Sequence, residues 1–205
     1  MDKSEILEQI KNLSNSEKRN IKQQELVNIM QDMTVEEIIE LSKIIGYPVF
    51  ARLCMGELNH KFVLLQDGAA AVIVNTKGEI LLQRRTDKDL WGLPGGCQEL
   101  GEDLRVTATR EAYEETGIKL NPLDIELIDT LSGESRKNSY PNGDIVYNNT
   151  SLYLADVSIT DINNLKCDSE TKRLKFFNIN DIPENIMDID LINAYKSYNK
   201  SKIIK

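Results

Sequence analysis

The chain has 205 residues, of which 40% are hydrophobic and 28% charged, and its formal net charge is −8 at pH 7. This composition supports a folded core in one domain, or in one domain with a helical extension. The negative charge argues against a large nucleic-acid-binding surface, and no apolar run is long enough to span a membrane. The opening residues, MDKSEILEQI, lack the apolar core of a signal peptide, so we expect a cytoplasmic protein without nucleic-acid or membrane partners.

Residues 1–60 are predicted to form a helical extension. Apolar residues recur at helical spacing, and Thr34 followed by Glu37 is the pattern of a capping box that opens a helix ending at Gly46. Residues 1–46 hold nine acidic and six basic residues, which disfavours a DNA-binding helix-turn-helix. Packing on the main domain or pairing with a second chain is the expected role, so a homodimer is one alternative.

The cysteines and the single histidine predict no separate site. Cys54, Cys97 and Cys167 are odd in number and form no CxxC pair, which is typical of reduced thiols rather than a disulfide framework or a zinc site. His60 has no visible partner in the sequence, and we interpret it as a surface or linker residue.

Residues 61–205 are predicted to form the main domain, which begins with a β-hairpin. AAAVIV from Ala69 and EILLQRR from Glu79 flank a four-residue turn, NTKG. Arg84 and Arg85 end the second strand, and either an exposed strand end or a phosphate clamp explains them. Trp91 follows, and we expect it to pack in the core.

Strands and a last helix follow further along the chain. Ile125–Leu131 and Asp144–Val157 are predicted strands, and LKFFNI, which begins at Leu174, is another. The terminal helix is predicted from about Leu191 to Tyr198. Strands that alternate with helices predict a mixed α/β sheet flanked by helices.

The loop between the first two of these strands carries three polar residues whose role stays open. Arg136, Lys137 and Tyr140 could contact a ligand, because loops on a rigid scaffold often determine specificity. An ordinary solvated loop explains them equally well.

The stretch GGCQELGEDLRVTATREAYEETGI, from Gly95 to Ile118, is predicted to begin as a glycine turn and to continue as a helix. Asp103 can cap this helix, and Gly117 can end it in the left-handed conformation. At about 100° per residue, one narrow face carries three glutamates: Glu111, Glu114 and Glu115. Carboxylates at this density predict Mg²⁺ or Mn²⁺ rather than zinc, with a solvated acidic face as the alternative.

Three neighbouring features favour a metal site over a solvated helix face. Glu102 adds a fourth carboxylate ahead of the helix, and Arg110 can orient carboxylates with its planar guanidinium. Gly95 and Gly96 allow the backbone to come close to a metal or a phosphate.

These residues resemble the Nudix box. That signature is a glycine, five residues, a glutamate, seven residues, Arg-Glu, an aliphatic residue, any residue, Glu-Glu, any residue, a glycine and an aliphatic residue. Every fixed position is filled, although Ala112 is smaller than the usual aliphatic residue; the matching residues are Gly96, Glu102, Arg110, Glu111, Ala112, Glu114, Glu115, Gly117 and Ile118.

The resemblance implies an α/β/α sandwich with a mixed sheet, in which the box forms a loop, a helix and a loop. It is specific for residues 95–118, looser for the remainder of 66–205, and does not cover the N-terminal helical extension. It also implies a Mg²⁺- or Mn²⁺-dependent hydrolase that cleaves a diphosphate bond in a nucleoside diphosphate linked to another moiety. ADP-ribose-like compounds, nucleotide sugars, nucleoside triphosphates and dinucleoside polyphosphates all remain open as substrates, with a slight preference for the first.

The resemblance also implies roles for individual residues. Glu111, Glu114 and Glu115 would bind the metal together with the Gly96 carbonyl, and Arg110 would orient the glutamates. Glu102 would bind metal through water or hold the structure. Arg85 and Arg84 would meet the substrate. The general base would be a box glutamate or, from a later loop, Glu170.

Two other functions remain as alternatives. One is a nucleotide-ligand sensor that uses the same fold, with the N-terminal helices as a partner-binding module; the intact set of carboxylates argues against it. The other is an isomerase acting on an isoprenyl diphosphate, which requires an acid–base pair that often includes a cysteine. Cys97 is not evidently placed for that chemistry.

Overall fold

The computed structural model of the chain describes residues 8–13, 28–31, 33–46, 50, 63–139, 145–157 and 165–203. The predictions for Cys54, His60, Tyr140 and the turn at 141–143, and much of the predicted N-terminal helical segment, lie outside these ranges. The chain divides into two compact units, the smaller of which contains the described residues of Met1–Leu64, Glu99–Gly101 and Asn138–Val146. Within the described ranges, no helix combines the length and the apolar character needed to cross a membrane.

Helix α1, Val35–Ile45, is the longest described element of the smaller unit. Its capping box is confirmed: Glu37 N–H donates to Thr34 Oγ1 at 3.2 Å, and Thr34 N–H donates to Glu37 Oε2 at 2.7 Å. Gly46 ends the helix with a φ of +88°. The apolar side of the helix packs in a cluster with Ile10 and Phe50, which explains its amphipathic sequence.

The larger unit contains two helices and most of the sheet, which has eight strands among the described residues. The strands are β1 (Val63–Val74), β2 (Ile80–Arg85), β3 (Trp91–Gly92), β4 (Gly95–Cys97), β5 (Glu126–Leu131), β6 (Lys137–Ser139), β7 (Ile145–Asp156) and β8 (Thr171–Phe177). The helices are α2 (Leu104–Thr116) and α3 (Ile189–Ile203).

The order of the strands is β3-β2-β1-β7-β5, with β4 paired to β1, β6 to β7 and β8 to β2. The predicted hairpin is confirmed, since Val74 of β1 pairs with Ile80 of β2 in antiparallel register. The pairs of β2 with β3 and β8, and of β5 with β7, are also antiparallel, whereas Trp91 and Ile186 form a parallel bridge. The sheet is therefore mixed.

The second half of strand β1, residues 68–74, is buried on both faces, and its alternate side chains pack on different helices. Val72 lies in the cluster that includes Ile192 of α3, whereas Ile73 lies in the cluster that includes Ala112 of α2. Ala112 is fully buried, so the small residue in the box lets α2 pack closely on the sheet. The result is the predicted α/β/α sandwich. Trp91 is buried in the α3-side cluster, as expected.

The structure corrects two expectations about the C-terminal half. Helix α3 begins at Ile189 and extends to Ile203, well beyond the predicted end at Tyr198. The segment after β5 contains a 3₁₀ turn, Glu134–Arg136, and then strand β6. Both interpretations of Arg136 are wrong, because its side chain is only 7% exposed and is bonded within the protein.

Candidate functional site

Strand β4 brings the start of the box onto the sheet. Gly96 pairs with Ala69 of β1, and Gly95 pairs with Ala70. A Cβ on Gly95 would lie 2.5 Å from the Ala69 carbonyl oxygen, and a Cβ on Gly96 would lie 2.5 Å from Cδ of Glu111. Glycine is therefore required at position 95 by close packing with the backbone of β1, whereas a Cβ at position 96 would displace the carboxylate of Glu111.

Both ends of helix α2 are as predicted. Asp103 Oδ1 accepts a hydrogen bond from Arg105 N–H at 2.8 Å. Gly117 has a φ of +75° and donates its N–H to the Tyr113 carbonyl at 2.8 Å. These two caps determine the length of the helix and so place its glutamates beside β4.

Arg110 is the centre of the carboxylate cluster. Its Nε and Nη2 donate to the two oxygens of Glu102 at 2.8 and 3.0 Å, a bidentate contact. Its Nη1 donates to Glu111 Oε1 at 2.8 Å and to Glu114 Oε2 at 3.2 Å. Nη2 also donates to the Cys97 carbonyl of β4 at 3.0 Å. Burial would lower the pKa of Arg110, but its bonds to Glu102 and Glu111 outweigh this and raise the pKa.

The carboxylates around Arg110 differ in exposure. Glu102 is 10% exposed and also accepts from Thr107 Oγ1 at 2.8 Å, so it ties the loop before α2 to the helix. Glu111 is 15% exposed, and burial raises its pKa although Arg110 acts in the opposite direction. Glu114 is 54% exposed. The face that carries these glutamates thus runs from the interior to solvent.

Glu115 lies on the inner side of the helix and is only 5% exposed. Its Oε2 accepts from Gln83 Nε2 at 2.6 Å and from Gly95 N–H at 2.9 Å, and its Oε1 accepts from Arg85 Nη1 at 3.4 Å. Desolvation nevertheless raises the pKa of Glu115 to about 8, because burial penalises the charged form more than these donors favour it.

The two arginines at the end of β2 have different partners. Arg85 contacts Glu115 and also donates from Nη2 to Glu170 Oε2 at 3.1 Å. Glu170, 42% exposed, therefore lies at the same site. Arg84 instead donates to Asp89 Oδ2 at 2.7 Å. Of the two arginines named from the sequence, the structure brings Arg85 to the box glutamates.

Sequence reasoning missed two residues of this site, Gln83 and Thr171. Gln83 is fully buried and bonds to both Glu115 and the Thr171 hydroxyl. A signal was present, because Gln83 follows the apolar run ILL and lies at strand spacing from Leu81, on the same face of the strand. A polar residue at such a position requires a buried partner.

The donor chemistry of the cluster fits a hard divalent cation, because its side-chain groups are carboxylates. Glu111 and Glu114 already converge on one cationic atom, Arg110 Nη1. In the part of the chain that the structure describes, no three Asp, Glu, His or Cys side chains are arranged as a ready metal site. Arg110 holds the carboxylates of Glu111 and Glu114 in place, and Gln83 holds that of Glu115.

The comparisons with known proteins agree on one family. The model of the NUDIX domain matches residues 64–197. An ADP-ribose pyrophosphatase from Methanocaldococcus jannaschii is 31% identical over 137 residues, which cover 64% of this chain and 75% of that protein.

Other relatives match over shorter stretches. A MutT-like protein from Streptomyces ambofaciens is 41% identical over 64 residues, which cover 31% of this chain and 38% of that protein. With this and other curated relatives, the chain aligns over 18% to 38% of their length. The crystal structure of a MutT NUDIX hydrolase from Burkholderia pseudomallei superposes with a TM-score of 0.52 at 25% identity, covering 63% of this chain and 97% of that one.

Proposed function

The chain belongs to the NUDIX family, and we propose that it is a Mg²⁺- or Mn²⁺-dependent hydrolase of a diphosphate bond in a nucleoside diphosphate linked to another moiety. One observation carries the proposal. The carboxylates of Glu102, Glu111 and Glu114 gather around Arg110, and the carboxylate of Glu111 lies against Gly96. A water-accessible excess of carboxylates is suited to a divalent cation and its anionic substrate.

We assign the metal to Glu111, Glu114 and Glu115 together with the Gly96 carbonyl. A bound divalent cation supplies charge neutralisation for the diphosphate and Lewis-acid activation of water. Arg110 orients the carboxylates of Glu111 and Glu114 by donating a hydrogen bond to each.

Arg85 is the proposed phosphate contact, and Glu170 is a candidate general base. The guanidinium of Arg85 bonds to both Glu115 and Glu170, which supports a position of both residues beside the reacting group. The alternative base is one of the box glutamates. The variant Glu170→Gln distinguishes Glu170 from a box glutamate as the general base, because loss of the general base lowers kcat by about a hundredfold or more. Arg84 is proposed as a second substrate contact, and its partner in the structure is Asp89.

The substrate class is proposed from the relatives. The Methanocaldococcus jannaschii relative is named an ADP-ribose pyrophosphatase, and this agrees with our preference for ADP-ribose-like substrates. We propose a cytoplasmic protein that acts on small nucleotides and has no nucleic-acid or membrane partner. The division into a helical extension, residues 1–60, and a NUDIX domain, residues 61–205, is also a proposal, as is a homodimer formed through the extension.

The test is product release from a panel of compounds with Mg²⁺ and with Mn²⁺. The panel contains ADP-ribose, nucleotide sugars, dinucleoside polyphosphates and nucleoside triphosphates, and Glu115→Gln is the inactive control. We expect metal-dependent turnover of one class, led by ADP-ribose, and none in the control. If no compound is hydrolysed while one binds tightly, the enzyme assignment is wrong and the sensor alternative replaces it.

A further inference from the structure

Gln83 is a buried amide in β2, directly after the apolar residues of that strand and before its two arginines. It lies on β2, and its side chain is fully buried, like those of Leu81 and Leu82. An amide removed from water without hydrogen bonds is destabilising. Its position therefore requires partners on the side of the sheet where α2 packs.

Both ends of the Gln83 amide have a partner. Its Nε2 donates to Glu115 Oε2 at 2.6 Å, and its Oε1 accepts from Thr171 Oγ1 at 2.7 Å. The ionised carboxylate, which is the form that binds a cation, can only accept, and the threonine hydroxyl can donate. The bond from Thr171 therefore favours the amide orientation in which the NH₂ group faces Glu115.

Thr171 is the first residue of β8, and the turn directly before it is held in place by hydrogen bonds. Asp168 Oδ1 accepts from Thr171 N–H at 2.8 Å and from Glu170 N–H at 3.0 Å. Thr86 N–H donates to the Glu170 carbonyl at 2.8 Å. The chain of bonds therefore runs from the turn that carries Glu170, through Thr171 and Gln83, to Glu115.

We propose that Gln83 is a positioning residue that, oriented by Thr171, holds the Glu115 carboxylate in the arrangement that binds the divalent cation. This inference rests on the proposed function, because it takes Glu115 as a metal ligand. A partner that orients a metal-ligating carboxylate commonly contributes about 10- to 100-fold to metal affinity or activity. Methionine at position 83 would fill similar volume without donating to Glu115.

The test measures binding of Mn²⁺ alone to the full-length protein after chelator treatment, by following free Mn²⁺ with electron paramagnetic resonance. We expect Gln83→Met to weaken Mn²⁺ binding about tenfold or more, and Thr171→Val to weaken it less, in the same direction. The double variant should bind no more weakly than Gln83→Met, because Thr171 acts through Gln83. With the substrate that the panel identifies, kcat should fall while KM changes little.

Thr150→Val is the matched control, because it also removes a buried hydroxyl from a strand threonine. Thr150 accepts from Arg136 Nη2 at 2.9 Å, so this variant should lose stability but bind Mn²⁺ like the wild type.

Wild-type affinity for Mn²⁺ in both Gln83→Met and Thr171→Val overturns the inference and leaves the proposed function standing. Failure of the wild type to bind Mn²⁺ overturns the proposed function and this inference with it. If Gln83→Met does not fold, the Mn²⁺ affinity of Thr171→Val alone tests the inference.

Discussion

Arg110 and Arg136 both lie among carboxylates, but in different surroundings. Arg110 is 22% exposed and bonds to three glutamates. Arg136 is 7% exposed, and its Nη1 donates to Asp188 Oδ1 at 2.8 Å and to Asp190 Oδ1 at 3.1 Å, while its Nη2 donates to Thr150. The same residue types therefore build one cluster that is open to solvent and another whose cation is enclosed.

This difference in exposure indicates different roles for Arg110 and Arg136. At Arg110, one guanidinium faces three carboxylates, and this excess of negative charge favours a further cation. At Arg136, the contacts join the 3₁₀ turn to the start of α3 and to β7, and both aspartates are about a third exposed, so water screens them. We therefore expect changes around Arg110 to alter activity and changes at Arg136 to alter stability.

The largest expected effect is the loss of turnover in Glu114→Gln and Glu115→Gln. Removing a metal-ligating carboxylate should lower kcat/KM at least about a hundredfold. The fold should remain, because glutamine keeps the shape and its amide oxygen can still accept from Gly95 N–H in place of Glu115 Oε2. The assay is steady-state kinetics with circular dichroism as the folding control; near-normal rates in both variants at saturating Mg²⁺ would remove the metal-ligand assignment.

The next effect is on stability, in Arg136→Met. The buried guanidinium is lost, and Asp188 and Asp190 remain as like charges, which usually costs about 3–5 kcal/mol for a buried pair. Because the two aspartates are partly solvated, we expect about 2 kcal/mol. Denaturant unfolding measures this loss of stability. Activity per folded molecule should stay near the wild-type value, and a selective loss of kcat would instead connect Arg136 to the site.

A smaller effect on activity is expected in Arg110→Lys. Lysine keeps the positive charge but cannot make the bidentate contact with Glu102 while also reaching Glu111. We expect about a tenfold decrease in kcat. Kinetics at several Mg²⁺ concentrations would measure it, and an unchanged kcat would show that charge alone suffices at this position.

A further expected effect is a dependence of stability on pH in the metal-free protein. The pKa of Glu115 rises from its ordinary value of 4.5 to about 8 on folding, because the carboxyl is desolvated. Between these values the folded state holds a proton that the unfolded state has lost, so stability is greatest below the unfolded pKa and falls as pH rises. The slope from Glu115 is at most about 1.4 kcal/mol per pH unit.

Urea unfolding with a chelator, at intervals from pH 5 to pH 8, measures this slope. Glu115→Gln cannot titrate and should flatten the dependence. Part of the slope should remain, because burial also raises the pKa of Glu111. An equal slope in the wild type and the variant would mean that Glu115 does not hold the proton.

The parts of the fold and of the site that could be predicted from the sequence are those that depend on local patterns. The capping box at Thr34, the caps of α2 at Asp103 and Gly117, and the hairpin of β1 and β2 depend on residues a few positions apart, and all were predicted. The resemblance to the Nudix box supplied the fold class. Arg136 was misinterpreted because its ion pair with Asp188 joins residues 52 positions apart, and no local pattern encodes that contact.

The sequence by itself determined which carboxylates share a helix face, because the spacing of side chains on an α-helix depends only on the geometry of its backbone. Only the tertiary structure decided that Glu115 is buried while Glu114 is exposed. Burial depends on what packs against the helix, and here β2 and β4 cover Glu115 and supply its donors from Gln83 and Gly95. The bond from Thr171 that orients Gln83 spans 88 positions and exists only once β8 pairs with β2.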